Sequence, residues 1–282
     1  MPGTLFVVAT PIGNLEDVTT RALRILRQVG LIAAEDTRRT SHLLSRYAIG
    51  TPTTSFHEHN ESRKVIAIVE RLQRGEDIAL VSDAGTPTIS DPGQRLIRAA
   101  IDAGIRVEPV PGPSAAVTAL AASGIGCQTF TFLGFPPIRL SERKKWLSEL
   151  ESAGRPVVFF EAPHRIRETL EQIERTIGDL YISVARELTK AHEEFVRGPI
   201  SSVLKRLKTP IGEFTVVIDV GRMTNSASTE RVSNETIVAE FGRMIESDGI
   251  SRRRAISRLA RTHGLPPNEV YKTIELAKKS VK

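Results

Sequence analysis

One stretch limits what this chain can fold into more than any other: residues 80–93, LVSDAGTPTISDPG. Ile78, Ala79, Leu80 and Val81 lead into it as a short apolar run, the length of one buried strand. Residues 94–103 follow with apolar side chains at helical spacing. Strand, loop and helix in that order form the unit of an open parallel sheet, whose ligands bind at the carboxyl ends of the strands. The loop suits that role. Asp83 is an acid, Thr86 a hydroxyl, Gly85 lets backbone approach a ligand closely, and Pro87 stiffens the turn. The same residues also make an ordinary strand-to-helix turn with Asp91 as the helix cap, and both readings stand at this point.

The unit repeats along the first half of the chain. Residues 4–9 predict a strand and about 18–29 a helix, with Thr10, Pro11, Ile12, Gly13 and Asn14 in the loop between them. That loop lacks the GxGxxG pattern, and no GxxxxGK[ST] occurs anywhere, which removes the main support for dinucleotide and P-loop functions. Residues 31–34 predict a second strand, ending in Glu35, Asp36, Thr37, Arg38, Arg39 and Thr40. Asp36 suits a helix cap, and the cluster equally suits a grip on a phosphate or a ribose. His57 and His59 on an extended segment would share one face, as metal ligands do. No third ligand stands at a diagnostic spacing, so no metal is expected, and the pair is assigned to a substrate-contacting loop before a helix over 61–74 capped by Asn60. Residues 106–110 predict a strand, and Pro111, Gly112, Pro113 and Ser114 turn into a helix over 115–123. Ser114 is placed to cap that helix, whose free amides could hold a carboxylate.

A second set begins at residues 129–134. Lys144, Lys145 and Trp146 are expected on the solvated face of a polar helix. Strands at 156–160, 181–185 and 214–220 each meet charged residues at one end: Glu161 to Arg165, Arg186 to Lys190, and Glu213. Three such ends suggest a second sheet facing the first across a cleft. Beyond it, a Thr/Asn/Ser/Ala-rich linker precedes three helical segments at about 234–248, 251–263 and 267–280, with Ser251 capping the second. Ala255, Leu259 and Ala260 are expected to pack on Val270, Ile274 and Ala277 in a helix-turn-helix-like arrangement.

Charge separates this tail from the rest. Residues 251–282 carry nine Lys or Arg against two acids, a net +7, whereas the preceding 250 residues balance thirty basic against thirty-one acidic, a net −1. A basic excess confined to one end points to a polyanion partner. One cysteine, Cys127, excludes an internal disulfide and multi-cysteine zinc sites. The first residues show no basic segment ahead of a long apolar run, so neither a signal nor a membrane span is expected, and the location expected is cytoplasmic.

TPIGNL, AAEDTRRT, LVSDAGTPTISDPG, VPGPSAA, FFEAPHR and ARELTK, in this order, resemble the ribosomal RNA small subunit methyltransferase I family of the tetrapyrrole methylase superfamily, over nearly the whole chain. The resemblance implies an α/β fold: two α/β domains, residues 1–113 and 114–222, with a cofactor cleft between them. A linker over 223–233 and a basic all-helical RNA-binding domain over 234–282 complete the expected division. It implies S-adenosylmethionine as cofactor, a small-subunit 16S rRNA substrate methylated on the ribose 2′-oxygen of a decoding-region cytidine, and a homodimer. Cofactor contacts carried over from the superfamily fall on Asp83, Thr86, Ser114, Ala115, Phe160, Glu161, Ala185, Arg186, Glu213 and Phe214. Glu161, His164 and Asp36 are the candidates to accept the hydroxyl proton, since a ribose hydroxyl attacks poorly while it keeps its proton. Pro11, Asn14, Arg38, His57, His59, Lys190, Arg252, Arg253, Arg254 and Lys272, with Arg186 besides, are assigned to the RNA. Two rivals remain: a tetrapyrrole C-methyltransferase, which needs no basic tail, and a nucleic-acid-binding regulator that only senses the cofactor.

Overall fold

The structure is a computed structural model that describes residues 1–207, 211–220, 234–246, 252–262 and 267–279. The first half winds into a five-stranded sheet of β1 (Thr4–Val8), β2 (Leu31–Ala34), β3 (Thr53–Ser55), β4 (Ile78–Val81) and β5 (Arg106–Val110). Their order is β3-β2-β4-β1-β5, with every neighbouring pair parallel. Alternate strand residues supply two cores. Val8, Ile32, Ala34, Ala79 and Val81 pack against Ala22, Ile25 and Leu26 of α1 (Thr20–Gln28) and Leu44 of α2 (Thr37–Arg46). On the opposite face Leu5, Leu31, Ala33, Ile78 and Leu80 meet Ile68 and Leu72 of α3 (Glu61–Gln73) and Leu96 and Ala100 of α4 (Gln94–Asp102). Burial on both faces explains why the strands are short unbroken apolar runs.

Register sets the edge where the site forms. Val81 stands beside both Val8 and Ala34, and Val110 beside Val8, so four strands finish level. The 82–93 loop therefore lies against the loops that follow β1, β2 and β5. Thr10 and Gly85 lock two of them by reciprocal backbone hydrogen bonds of 2.9 and 3.0 Å. The start of α4 decides between the two readings of Asp91. Gly93, not Asp91, occupies the N-cap, at φ 128°, and its N–H donates to Glu61 (3.2 Å). A Cβ at Gly93 would come within 2.6 Å of Leu80, so the turn closes only without a side chain.

The second sheet is mixed. It contains β6 (Thr131–Phe132), β7 (Val157–Glu161), β8 (Tyr181–Arg186), β9 (Glu194–Pro199) and β10 (Phe214–Ile218), in the order β6-β7-β10-β8-β9. β10 runs antiparallel between β7 and β8, so its first residue, Phe214, pairs with both Glu161 and Arg186. The three charged strand ends are thereby brought to one edge. One face is covered by α6 (Leu140–Ser152), α7 (Ile166–Thr176) and α8 (Ile200–Arg206), the other by the alanine-rich α5 (Ala115–Ala122). Trp146 is a correction: it is buried edge-to-face on Phe159 (5.2 Å), while Lys144 and Lys145 are exposed. Arg143, Trp146, Leu147 and Leu150 form a buried stripe through an otherwise polar helix. β9 and the three-residue β3, both edge strands, escaped the sequence reading.

Three further helices, Asn234–Glu246, Arg252–Thr262 and Pro267–Lys279, share their own core. Ala255, Leu259, Ala260, Val270 and Ile274 meet there as expected, joined by Ile237 and Phe241 of the first helix; Ala277 is not part of it. The linker over 223–233 and the cap Ser251 lie outside the described residues. Among the described residues no helix is long and apolar enough to cross a membrane.

Candidate active site

The facing edges of the two sheets enclose a cavity of about 300 Å³. Its first wall comes from the loops after β1, β2, β4 and β5, its second from the β7, β8 and β10 ends. The halves meet closely at Gly13, where a Cβ would lie 2.5 Å from the carbonyl oxygen of Leu188.

The first wall is acidic. Asp83 N–H donates to Glu35 (3.2 Å) and Asp36 N–H donates to the Asp83 carboxylate (2.9 Å), tying the β2 and β4 loops together. Arg39 approaches Asp83 at 3.5 Å and is the ion-pair partner of this group. Glu35, Asp83 and Asp91 all line the cavity. Burial, with the nearby negative charges of Asp83 and Asp36, raises the Glu35 pKa above the usual carboxylate range. Burial first, and then the charges of Glu35 and Asp83, push Asp91 up to about 7 despite a hydrogen bond from Ser82. Three carboxylates with one cation among them favour a positively charged ligand.

The second wall is apolar and internally paired. Phe160, edge-to-face on Phe132 (5.0 Å) and 5.5 Å from Phe135, joins Phe214 and Leu188 on the lining. The Glu161 side chain is fully buried and accepts from Ala162 N–H (2.8 Å), Thr169 Oγ1 (2.6 Å) and Arg165 (2.9 Å). Lys190 bridges Glu187 (2.9 Å) and Glu213 (3.2 Å). Burial pulls the Lys190 pKa down, the two carboxylates more than offset this, and the net direction is upward. Arg186 pairs with Glu194 at 3.2 Å.

Backbone strain marks the same two walls. Thr88 (φ 73°) and Ser90 (φ 66°) bracket Ile89, and Glu187 (φ 51°) and Thr189 (φ 65°) bracket Leu188; both bracketed residues line the cavity. Left-handed non-glycine residues cost about 1–3 kcal/mol each and gather at ligand sites.

Eight expected cofactor contacts lie on the lining: Asp83, Thr86, Ser114, Ala115, Phe160, Glu161, Glu213 and Phe214. Ala185 and Arg186 do not; Ala185 is buried in the core beneath, and Arg186 pairs with Glu194. Ser114 holds the N-cap position of α5 without a side-chain capping bond. The three candidate proton acceptors fare badly. Asp36 caps α2 through Arg38 N–H (2.8 Å) and grips the Arg38 guanidinium, and those bonds hold its pKa far below the usual range. Glu161 is spent on its three donors. His164 is exposed and off the lining. Arg38, though bound back to Asp36, keeps its side chain exposed, whereas Lys190, held between two carboxylates, is less available to RNA than its charge suggested. Pro11 is buried, and Asn14 caps a short turn by accepting from Glu16 N–H (3.1 Å).

His57 and His59 sit in a turn rather than an extended segment, rings 6.0 Å apart; Asn60 holds the N-cap position of α3 as expected, but its side chain turns back to accept from His57 N–H (3.0 Å) and makes no capping bond. Among the described residues no group of three or more potential metal ligands lies together. In the tail, Arg252 is paired with Glu275 and lies over the Tyr271 ring, while Lys272 is exposed; the Arg253 and Arg254 side chains lie outside the described residues. Sequence reading placed Glu35 only within a polar cluster suited to phosphate or ribose, and missed the lining role of Asp91. Asp36, next to Glu35, caps α2 as assigned, whereas Gly93, two residues after Asp91, takes the α4 cap position that the motif assigned to Asp91.

The residues fit the cofactor that the resemblance implies. S-adenosylmethionine is a cation with an amino-acid end and a nucleoside end. The cavity offers carboxylates for the positive centres, the uncapped amides of α5 for a carboxylate, and aromatic rings for the base.

Comparison with known proteins agrees. The family model for tetrapyrrole (corrin/porphyrin) methylases matches residues 4–204. The ribosomal RNA small subunit methyltransferase I of Bacillus subtilis is 45% identical over 272 residues, covering 95% of this chain and 93% of that protein. The protein of the same name from Thermotoga maritima is 48% identical over 218 residues, 77% of this chain and 98% of that one. A cobalt precorrin-4 methyltransferase of cobalamin biosynthesis superposes with a TM-score of 0.59 at 15% identity, over 77% of this chain and 95% of its own, a likeness of fold.

Proposed function

This chain belongs to the tetrapyrrole (corrin/porphyrin) methylase family and, within it, to the ribosomal RNA small subunit methyltransferase I proteins, and we propose that it methylates the ribose 2′-oxygen of a cytidine in the decoding region of 16S rRNA. S-adenosylmethionine supplies an activated methyl on a sulfonium cation. The observation that carries the reading is the acid-lined cavity between two sheets, in a chain 45% identical to a ribosomal RNA methyltransferase over 95% of its length. The tetrapyrrole reading has on its side a structural likeness at 15% identity.

Asp83 and Glu35 would hold the positive end of the cofactor, the Ser114 and Ala115 amides its carboxylate, and Phe160 and Phe214 its nucleoside end. Holding donor and acceptor in line supplies most of the acceleration. Asp91 replaces Glu161, His164 and Asp36 as the group that takes the hydroxyl proton. It lines the cavity, and a carboxyl with a pKa of about 7 balances basicity against ionisation near neutral pH. Glu161 positions Arg165 and Thr169 and closes the second wall.

The tail helices supply affinity for RNA phosphate, with Lys272 exposed for contact. Their position after residue 204, where the family match ends, supports a role apart from the chemistry. The small subunit is the expected substrate particle, two copies of the chain the expected assembly, and the ribosome-containing compartment the place of action. Residues 1–113 and 114–222 act as the two cleft-forming domains: α5, just after that boundary, packs on the second sheet.

Labelled S-adenosylmethionine incubated with small subunits lacking the modification tests this, with nuclease digestion and mass spectrometry to locate the methyl. Label on a ribose 2′-oxygen of a decoding-region cytidine supports the proposal. Label on a base, or on no RNA at all, overturns it.

A further inference from the structure

A second hollow, of about 210 Å³, opens between α6 and α7 beside the cavity. Arg143, Arg165 and Arg175 line it, with Glu168 as its acid. The Arg143 side chain is nearly enclosed, the residue 8% exposed, yet its hydrogen bonds all go to neutral acceptors: Gln172 Oε1, the Pro137 carbonyl (3.3 Å) and Thr169 Oγ1 (2.7 Å). Among the described residues Arg143 and Arg175 form no ion pair; Arg175 donates to the Glu171 carbonyl of its own helix (3.2 Å). Arg165 has Glu161, but its Nε is buried without a hydrogen-bond partner. Burial lowers the Arg143 pKa, Glu161 and Glu168 oppose this through space, and Arg165 adds to it.

A buried guanidinium without an anion is costly, and this hollow concentrates more positive charge than its one lining carboxylate balances. The fork of an arginine matches a phosphate in shape as well as charge. The hollow adjoins the cavity across a shared wall. Glu161 lines one and its partner Arg165 the other, and the 135–138 segment runs from Phe135 on the cavity to Ile138 on the hollow. Ile138 and Leu140, 82% and 76% exposed, form an open apolar rim.

We propose that the hollow lined by Arg143, Arg165 and Arg175 binds a backbone phosphate of the RNA substrate, next to the nucleotide whose ribose enters the cavity. The proposal rests on the RNA methyltransferase reading and adds a subsite to it. A strand anchored there is fixed in register against the cavity by contacts that carry no base information.

The test uses the full-length protein and Arg175→Gln, a change at an exposed residue outside the cavity. KM for the RNA substrate and the salt dependence of RNA binding are measured together, with cofactor affinity by calorimetry. The expected result is a rise in KM of about fivefold and a salt slope smaller by about one, with unchanged cofactor affinity. Arg175→Lys, which keeps the charge, should recover most of both. Wild-type KM and slope in Arg175→Gln overturn the subsite while leaving the methyltransferase reading intact. So does binding of inorganic phosphate that the substitution abolishes without any effect on RNA, which marks a small-anion site. Wild-type protein that neither binds nor methylates RNA overturns both readings.

Discussion

Both walls of the cavity carry carboxylates, and those carboxylates behave oppositely. On the first, Glu35, Asp83 and Asp91 crowd together with Arg39 at 3.5 Å as the nearby cation, and Glu35 and Asp91 have raised pKa values. On the second, four acids are held by three bases: Glu161 by Arg165, Glu187 and Glu213 together by Lys190, and Glu194 by Arg186. Charge left largely uncompensated marks the wall that awaits a cationic ligand, whereas charge held in ion pairs marks the wall that keeps its shape. A carboxylate at a strand end is therefore informative only together with its neighbours.

Substitutions can break that contrast. The largest effect is expected on the paired wall. Glu161→Ala strands a largely buried guanidinium and should cost about 3 kcal/mol of stability. In a chain of this size that is a fall in Tm of about 6–12 °C, read by calorimetry. Cofactor affinity measured well below the transition should stay within about threefold; a large loss of affinity with unchanged Tm would make the second wall chemical rather than architectural.

On the open wall the signs reverse. Asp83→Ala should weaken cofactor binding at least ~100-fold, about 2.7 kcal/mol. Full affinity by calorimetry would remove Asp83 from the site. Asp91→Asn should lower kcat/KM for RNA about 100-fold and erase the fall in rate below about pH 7, because the amide accepts no proton at any pH. The same residue affects stability in a defined direction. The native chain retains the Asp91 proton up to about pH 7 while the unfolded chain releases it near 3.8, so stability falls as pH rises between those values. Asp91→Asn should remove that slope, and a slope unchanged in denaturation at pH 5 and pH 8 would refute the assignment.

The smallest effect lies outside the comparison and sharpens it. Removing residues 234–282 should weaken RNA binding roughly tenfold at moderate salt and flatten its salt dependence, leaving cofactor affinity unchanged. Unaltered RNA affinity across several salt concentrations would sink the assignment of the tail.

Much of this architecture is legible in the amino-acid order. The apolar runs at 31–34 and 78–81, the helices after them, the basic tail and six motifs in register place the strands, the family and most of the cavity lining. The mixed sheet was not legible, because nothing local in residues 214–218 says that β10 inserts antiparallel between β7 and β8. Edge strands such as β9, carrying Gly198 and Pro199, give a weak periodic signal for the same reason.

The sequence by itself determined which residue types stand at each strand end, since periodicity and turn chemistry are properties of neighbours along the chain. Only the tertiary structure decided which of those acids would be neutralised. Asp36 is spent on a cap and on Arg38, Glu161 on Arg165, and Asp91, the residue that resembled a cap, is left facing the cavity. Charge compensation depends on groups brought together from distant positions, so the roles of these carboxylates are fixed by the meeting of the two sheets.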